Sequence, residues 1–329
     1  MIKFSKISFV LLMMAIAFAS CDKVSPPNYG CMNPLALNFD PDATLDDGHC
    51  EFDPSLLRGC TDTVASNYDP MAVIDDCHCR YDNSRTVLVE DYTGFRCPNC
   101  PRAAEALREL ECLYGARIIP LAVHVSQTFA SPENNPDGSF STDFRTSIGN
   151  TYDTEFGNSA YLPNGLINRK EFDGALPQLH GNWAGLAAGI LAQPAEALVH
   201  VGVTYDEGTR NASATVDISV LQDLNDAPYR LVVLLSEDSI ADWQIDNAAT
   251  PPRVEGYVHM HVLRDGFTGA WGELLNGGAS MAAGYTASPT FNLTLNSEFR
   301  AQHCNVVAFI FRDDTKEVIQ ADYHSVTEH

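Results

Sequence analysis

The stretch that decides the predicted fold is Val87-Leu88-Val89-Glu90-Asp91-Tyr92-Thr93-Gly94-Phe95-Arg96-Cys97-Pro98-Asn99-Cys100-Pro101. An apolar strand leads directly into a Cys-x-x-Cys motif, and apolar residues at helical spacing follow as far as Gly115. A helix N-terminus carries unpaired N–H groups and partial positive charge, which lower the pKa of a cysteine there. Arg96 adds to the same effect. The pattern predicts a reactive pair, Cys97 and Cys100, where a strand meets a helix.

The first twenty residues predict a lipoprotein signal peptide. Two lysines precede an apolar run from Phe9 to Phe18 that is short for a membrane span, and Ala19-Ser20-Cys21 resembles a bacterial lipobox. Residues 1–20 are therefore expected to be removed, and Cys21 to carry the lipid that holds the chain on a membrane. An ordinary cleaved signal that leaves Cys21 free is the alternative.

The charge of the chain limits its partners. It has 329 residues with 20 Lys and Arg against 43 Asp and Glu, a formal net charge of -23. Such a chain is not expected to bind nucleic acid or an acidic membrane directly. The expected partners are a membrane, through the lipid anchor, and secreted or envelope proteins. The length allows two or three domains.

Two copies of a short acidic module occupy residues 31–83, after a linker at residues 21–30. The first begins Gly30-Cys31 and the second Gly59-Cys60, and in each copy the next matching cysteine follows 19 residues later. A module this small needs a covalent staple because it buries little apolar surface. The simplest pairing is Cys31 with Cys50 and Cys60 with Cys79.

The same modules supply carboxylate oxygens of the kind that Ca²⁺ prefers. The candidate ligands are Asp40, Asp46, Asp47, Asp69, Asp75 and Asp76. Their spacing is not that of an EF-hand loop, and a plain acidic spacer is the alternative. No other cofactor is required by the sequence.

Three cysteines have no predicted role: Cys77, Cys112 and Cys304. Because their number is odd, at least one stays free or pairs between molecules. Cys77 also competes with Cys79 for Cys60.

Residues 84–196 alternate strand and helix patterns, and this order, with Cys-x-x-Cys at the first strand-to-helix junction and a later proline before a strand, resembles the thioredoxin fold. By that resemblance Cys97 attacks a substrate disulfide and Cys100 resolves the mixed disulfide. Asp91 would then relay a proton, and Pro163 would be the cis-proline beside the pair. A permanent structural disulfide is one alternative. Copper or zinc on the two thiolates and a histidine such as His124 is another.

The last third, residues 197–329, carries about seven short alternating stretches separated by turn residues, which predicts a β-sandwich. His259 and His261 alternate onto one face there, as a metal pair could, and simple surface or interface histidines are the alternative. The predicted fold class is therefore multidomain: a thioredoxin-like α/β domain followed by an all-β sandwich, preceded by small disulfide-stapled acidic repeats.

The chain as a whole resembles one family. Its lipobox, its Cys-Pro-x-Cys, Leu162-Pro163-Asn164-Gly165, the run 257–264 (Tyr-Val-His-Met-His-Val-Leu-Arg) and Gly269-Ala270-Trp271-Gly272-Glu273 are similar to the outer membrane protein 28 related lipoproteins of Bacteroidetes. The resemblance implies a lipid-anchored protein of the outer membrane that faces the periplasm or the surface.

Two functions follow from these patterns. The first is a lipid-anchored thiol–disulfide oxidoreductase that acts on secreted or envelope proteins through Cys97 and Cys100. The second is a non-enzymatic surface lipoprotein, an adhesin or a component of an envelope complex, in which the same pair is a fixed staple.

Overall fold

The computed structural model describes residues 28–34, 36–46, 49–51, 53, 58–81 and 83–327. The predicted signal peptide, the anchor residue Cys21 and the carboxylates of Asp46 and Asp47 lie outside what the structure describes. The chain divides into two units, 1–56 and 57–329. Among the helices of the described part, none has the length and apolarity needed to cross a membrane.

The strands in chain order are β1 (Tyr29–Gly30), β2 (Leu45–Asp46), β3 (Arg58–Gly59), β4 (Ile74–Asp75), β5 (Val87–Thr93), β6 (Ile118–His124), β7 (Asn164–Ile167), β8 (Ala197–Asp206), β9 (Asn211–Val220), β10 (Tyr229–Glu237), β11 (Ile240–Ile245), β12 (Arg253–His259), β13 (Val262–Gly266), β14 (Glu273–Leu274), β15 (Thr286–Ala287), β16 (Thr290–Thr294), β17 (Cys304–Arg312) and β18 (Val318–Ser325). The α-helices are α1 (Cys100–Tyr114), α2 (Ser147–Phe156) and α3 (Trp183–Leu191).

The two acidic modules fold alike, one in each unit. Each pairs two short parallel strands, β1 with β2 and β3 with β4. In each module an asparagine side chain, Asn38 or Asn67, bonds to the main chain 11 residues further on. This shared hydrogen bond explains why the asparagine recurs in both copies.

An eight-stranded mixed sheet forms the centre of the larger unit. Its order is β18-β17-β10-β13-β6-β5-β7, with β14 beside β10. β6 runs parallel to both β5 and β13, and the contact with β13 is made through Val262 opposite Ala122. The amide N–H of Ala122 also donates to the carbonyl of His261 (2.8 Å), which joins the two halves of the sheet.

The predicted fold class, a thioredoxin-like α/β domain followed by a β-sandwich, is wrong. The described residues are mostly strands with three α-helices, and the central sheet combines strands from residues 84–196 with strands from residues 197–329. The local patterns gave no sign of this, because β6 and β13 are paired across some 140 residues of chain. The physical reason is that both faces of β6 are buried, so the main-chain N–H and C=O groups along its edge need hydrogen-bond partners, and β13 pairs with that edge.

A second, four-stranded sheet packs on the central one. It contains β8, β15 and β16, all paired with β9. Alternate residues of β10 enter different cores: Leu231, Val233 and Leu235 face the second sheet, whereas Val232 and Leu234 face α2. This period of two is that of a strand covered on both faces.

Gly115 ends α1 and brings the second acidic module close. Its φ is +57°, and a Cβ there would lie 2.4 Å from the carbonyl oxygen of Cys79. The amide N–H of Ala116 donates to the same carbonyl (2.9 Å). The module therefore packs against the end of the helix that begins at Cys100.

Candidate functional site

The Cys97–Cys100 disulfide lies between β5 and α1, with 5.4 Å between its Cα atoms. The amide N–H of Cys97 donates to the carbonyl of Gly94 (2.8 Å), and that of Cys100 donates to the carbonyl of Cys97 (3.2 Å). The helix begins at Cys100 with Pro101 in its first turn, where a missing N–H costs little. The pair thus sits at a helix N-terminus.

A hairpin formed by β11 and β12 covers this turn. The side-chain Nε2 of Gln244 donates to the carbonyl of Cys97 (3.0 Å). The main-chain N–H groups of Ile245 and Asn247 donate to two other carbonyls of the turn, at 2.8 and 3.0 Å. Cys97 and Cys100 are only 1% and 2% exposed. The attacking thiol that the thioredoxin resemblance implies would be accessible, whereas here both sulfur-bearing residues are buried.

Asp91 is a buried acid on β5. Its Oδ1 atom has no hydrogen-bond partner within the described part of the chain. Burial raises the pKa of Asp91 to about 7, and the positive charge of His261 offsets that rise only in part. A carboxyl with this pKa gains and loses a proton near neutral pH, which suits a proton acceptor.

Pro163 precedes β7 and is buried, and the Leu162–Pro163 peptide bond is cis. β7 runs antiparallel to β5 with Gly165 opposite Asp91. A Cβ at Gly165 would lie 2.5 Å from the ring of Trp183, so only glycine fits. The structure therefore places Pro163 at the start of the strand beside Asp91.

The arginine before the motif is not a free charge. Arg96 forms an ion pair with Glu133, and its Nη2 donates to the carbonyl of Gln127 (3.2 Å). The carboxylate neutralises much of the positive charge that the sequence places beside Cys97. The helix N-terminus is then the main source of positive potential at the pair.

A protonated histidine links α1 to the turn after β12. His261 lies 3.2 Å from a carboxylate oxygen of Glu111 through Nε2 and 3.1 Å from one of Asp238 through Nδ1. Burial lowers the pKa of His261, but the two carboxylates outweigh it and raise the value to about 10. His261 is therefore an imidazolium at neutral pH, and this ion cluster holds the covering hairpin to the helix of the disulfide.

His259 does not share the surroundings of His261, contrary to the alternation read from the sequence. Its ring faces His124, at the end of β6, with 5.7 Å between the ring centroids. Phe144 packs on both rings. Sequence reasoning missed this pair because the two histidines are 135 positions apart, and only the pairing of β6 with β13 brings them together.

The acidic modules contain the disulfides Cys31–Cys50 and Cys60–Cys79. Several of the candidate calcium ligands accept hydrogen bonds from the main chain two residues later: Asp40 from Asp42, Asp69 from Met71, Asp75 from Cys77 and Asp76 from His78. Carboxylates used in this way stabilise turns. Asp75 lies within 4.8 Å of the sulfur atoms of Cys60 and Cys79, but these are joined to each other. Calcium binding stays a prediction.

The three cysteines without a predicted role form one disulfide and leave one free thiol. Cys77 is joined to Cys112, which ties the second module to α1. Cys304 is free and buried. Burial raises the pKa of the Cys304 thiol to about 12, so it is unreactive at neutral pH.

Comparison with known proteins gives a family and a fold. The profile of the outer membrane protein Omp28 family matches residues 149–329. HBP35 of Porphyromonas gingivalis has a similar structure, with a TM-score of 0.57 and 20% sequence identity over 75% of this chain and 79% of that one. A domain of the outer membrane lipoprotein Omp28 from the same organism matches with a TM-score of 0.29 and 18% identity over 40% of this chain and 89% of that domain. No curated protein matches the sequence.

Proposed function

The chain belongs to the Omp28 family of outer membrane proteins, and from that premise we propose that it is a thiol–disulfide exchange protein whose reacting groups are Cys97 and Cys100. The outer-membrane location predicted from the sequence is confirmed by the family. Attachment through a lipid on Cys21 is part of the proposal, and it would leave the described residues free to meet secreted or envelope proteins.

The main support is Asp91, a buried acid on β5 six residues before Cys97. A buried carboxyl oxygen without a hydrogen-bond partner costs about 1–3 kcal/mol of stability, and Oδ1 of Asp91 has none within the residues that the structure describes. A residue kept at such a cost fits a role in chemistry better than one in folding. Its pKa of about 7 suits the acceptance of a proton from the Cys100 thiol.

The pair is also a poor staple. The chain-entropy relation assigns about 2 kcal/mol to a disulfide that closes a loop as short as that between Cys97 and Cys100, whose separation is 3 residues. It assigns about 4 kcal/mol to Cys77–Cys112, whose separation is 35 residues. Because the Cys97–Cys100 bond stabilises the fold so little, a reactive role explains it better than a structural one.

The exchange proceeds in two steps that conserve electrons and atoms. The Cys97 thiolate attacks a substrate disulfide, which forms a mixed disulfide and releases one substrate thiolate. The Cys100 thiol then loses its proton to Asp91 and attacks the sulfur of Cys97, so the second substrate thiolate leaves and Cys97–Cys100 is restored. Two electrons pass to the substrate, and the reverse sequence oxidises a substrate dithiol. A second dithiol protein of the envelope would reduce the pair again.

The hairpin sets a condition on this reaction. Because the main chain of the hairpin bonds to the turn of Cys97, a protein substrate reaches the sulfur only after those hydrogen bonds open. We expect exchange with small thiols and large substrates to differ strongly in rate for this reason.

The test is a trapping experiment on the mature chain carrying Cys304→Ala. Cys100→Ser leaves an attacking thiol with no resolving partner, and Cys97→Ser is the matched control. Incubation of each with a disulfide-linked reporter peptide, followed by non-reducing electrophoresis, should give a stable adduct with Cys100→Ser alone. Equal adduct formation by both variants, or by neither, would refute the proposal.

A second candidate is a non-enzymatic surface lipoprotein, an adhesin or a component of an envelope complex. It is favoured by one observation, the near-complete burial of both cysteines under the hairpin. In that case Cys97→Ser lowers the free energy of unfolding by about 2 kcal/mol and leaves partner binding unchanged.

A further inference from the structure

We propose that His124 and His259 form a binding site for a soft monovalent metal ion of the Cu(I) class. His124 ends β6 and His259 ends β12, and their rings have 5.7 Å between centroids and 63° between planes. In a linear complex, two metal–nitrogen bonds of about 2 Å plus the two ring radii separate the centroids by about 6 Å. The observed separation fits an ion held between the rings.

A ring nitrogen of His124 is available to ligate a metal ion. It is 3% exposed, and neither of its ring nitrogens has a hydrogen-bond partner within the part of the chain that the structure describes. A buried polar group left in this state costs free energy that a ligand would return. A metal ion on one nitrogen satisfies that atom without a water molecule or a second polar side chain.

His259 is already oriented for the same ion. Its Nε2 lies 3.3 Å from the carbonyl oxygen of Trp243, so the N–H on that atom donates to the main chain. This assignment leaves the lone pair on Nδ1. A histidine that ligates a metal usually donates its other N–H to a carbonyl or carboxylate in this way, which fixes the tautomer and the ring plane.

The surroundings select the class of ion. Phe144 packs on both rings, at 4.9 Å from His124 and 5.1 Å from His259. Burial lowers the pKa of both histidines, which favours the neutral ring that a metal ion requires. Imidazole suits copper, and burying one charge between aromatic walls costs far less than burying the two of a hydrated divalent ion.

A cleft lies beside Phe144, which packs on the two rings. An open cleft of about 340 Å³ has Phe144 in its wall together with Glu237, Asp242 and Glu298. The guanidinium groups of Arg264 and Arg300 also line the cleft, and they lie 3.4 and 3.6 Å from the carboxylate oxygens of Glu237, which offsets part of their charge. Rotation of Phe144 would admit an ion from this cleft to the two rings.

The test uses Ag(I), which has the same coordination preference and no redox chemistry with disulfides. The mature chain carries Cys21→Ser and Cys304→Ala to remove competing thiols, and its disulfides are kept oxidised. Calorimetric titration should show one tight site per chain. His124→Phe and His259→Phe keep an aromatic ring in the cluster and should each weaken binding at least about 100-fold. His200→Phe, on the exposed part of β8, is the matched control and should change nothing.

A second measurement on the parent chain decides the matter if either variant fails to fold. Long-range ¹⁵N–¹H spectra of the ten histidines should show Ag(I) shifting one nitrogen of His124 and Nδ1 of His259, while Nε2 of His259 stays protonated. Absence of tight binding by the parent chain, parent-like binding by either variant, or shifts confined to other histidines would overturn the proposal.

Discussion

The buried ion pair of Glu90 and Arg169 gives the sharpest stability prediction. Both side chains are fully buried, and Nε and Nη2 of Arg169 donate to the two carboxylate oxygens of Glu90 at 2.8 and 2.7 Å. Burial lowers the pKa of Arg169, but the carboxylate of Glu90 outweighs it and raises the value. Glu90→Gln keeps the shape of the side chain and removes its charge.

The expected loss in the free energy of unfolding follows from the buried, unpaired charge of Arg169 that Glu90→Gln leaves. Each charge-assisted hydrogen bond contributes about 1.5–3 kcal/mol, and breaking one partner of a buried pair costs about 3–5 kcal/mol because the other charge stays buried. The rings of Tyr152 and Phe309, 4.3 and 4.9 Å from the Arg169 guanidinium, still attract it. We therefore expect Glu90→Gln to lower the free energy of unfolding by about 3–5 kcal/mol.

The assay is urea-induced unfolding of the oxidised chain, followed by tryptophan fluorescence. The double variant Glu90→Leu/Arg169→Met removes both charges and should lose less than Glu90→Leu or Arg169→Met alone, so that the double-mutant cycle of these variants gives a large coupling energy. A loss below about 1 kcal/mol in Glu90→Gln would refute the view that this pair is desolvated and mutually dependent.

Three further predictions follow. Asp91→Asn should raise the free energy of unfolding at pH 8. The folded-state pKa of about 7 lies above the unfolded value of about 3.9, so ionisation of Asp91 destabilises the fold as pH rises from 4 to 8. The same variant should slow thiol–disulfide exchange, and an unchanged free energy of unfolding would contradict the stability prediction. The pKa of His261 is raised to about 10, so the stabilisation that its charge gives the folded state is complete below pH 6.5 and disappears as pH rises to 10. Asparagine tolerates the positive φ of this position, and His261→Asn should make the urea midpoint less dependent on pH over that range. An unaltered pH dependence would count against the Glu111 contact. Cys77→Gly/Cys112→Ala should lower the free energy of unfolding by about 2–4 kcal/mol, and an unchanged thermal midpoint would show that the second module does not stabilise α1.

Local features of the fold were predictable from local pattern. The strand before the motif and the helix after it lie where the sequence predicts, because alternation and helical spacing are properties of a dozen neighbouring residues. The 19-residue cysteine spacing pointed to pairs within each module, and the structure has Cys31–Cys50 and Cys60–Cys79.

The long-range features were not predictable in this way. The pairing of Val262 with Ala122 merges two predicted domains into one sheet, and no local signal marks it. The same holds for Cys77–Cys112, since Cys77 adopts a φ of +63° that brings its sulfur to the helix. Of the hairpin over Cys97, the sequence pattern predicted a strand only near β12, as part of the sandwich, and it did not predict β11.

The reduction potential of the Cys97–Cys100 pair tests the central claim most directly. The mature chain carrying Cys304→Ala is equilibrated in glutathione buffers, its thiols are trapped, and the peptide with both cysteines is quantified by mass spectrometry. A protein that exchanges disulfides predicts a potential between about -120 and -270 mV. A value below about -300 mV would identify a structural bond and contradict the proposed function.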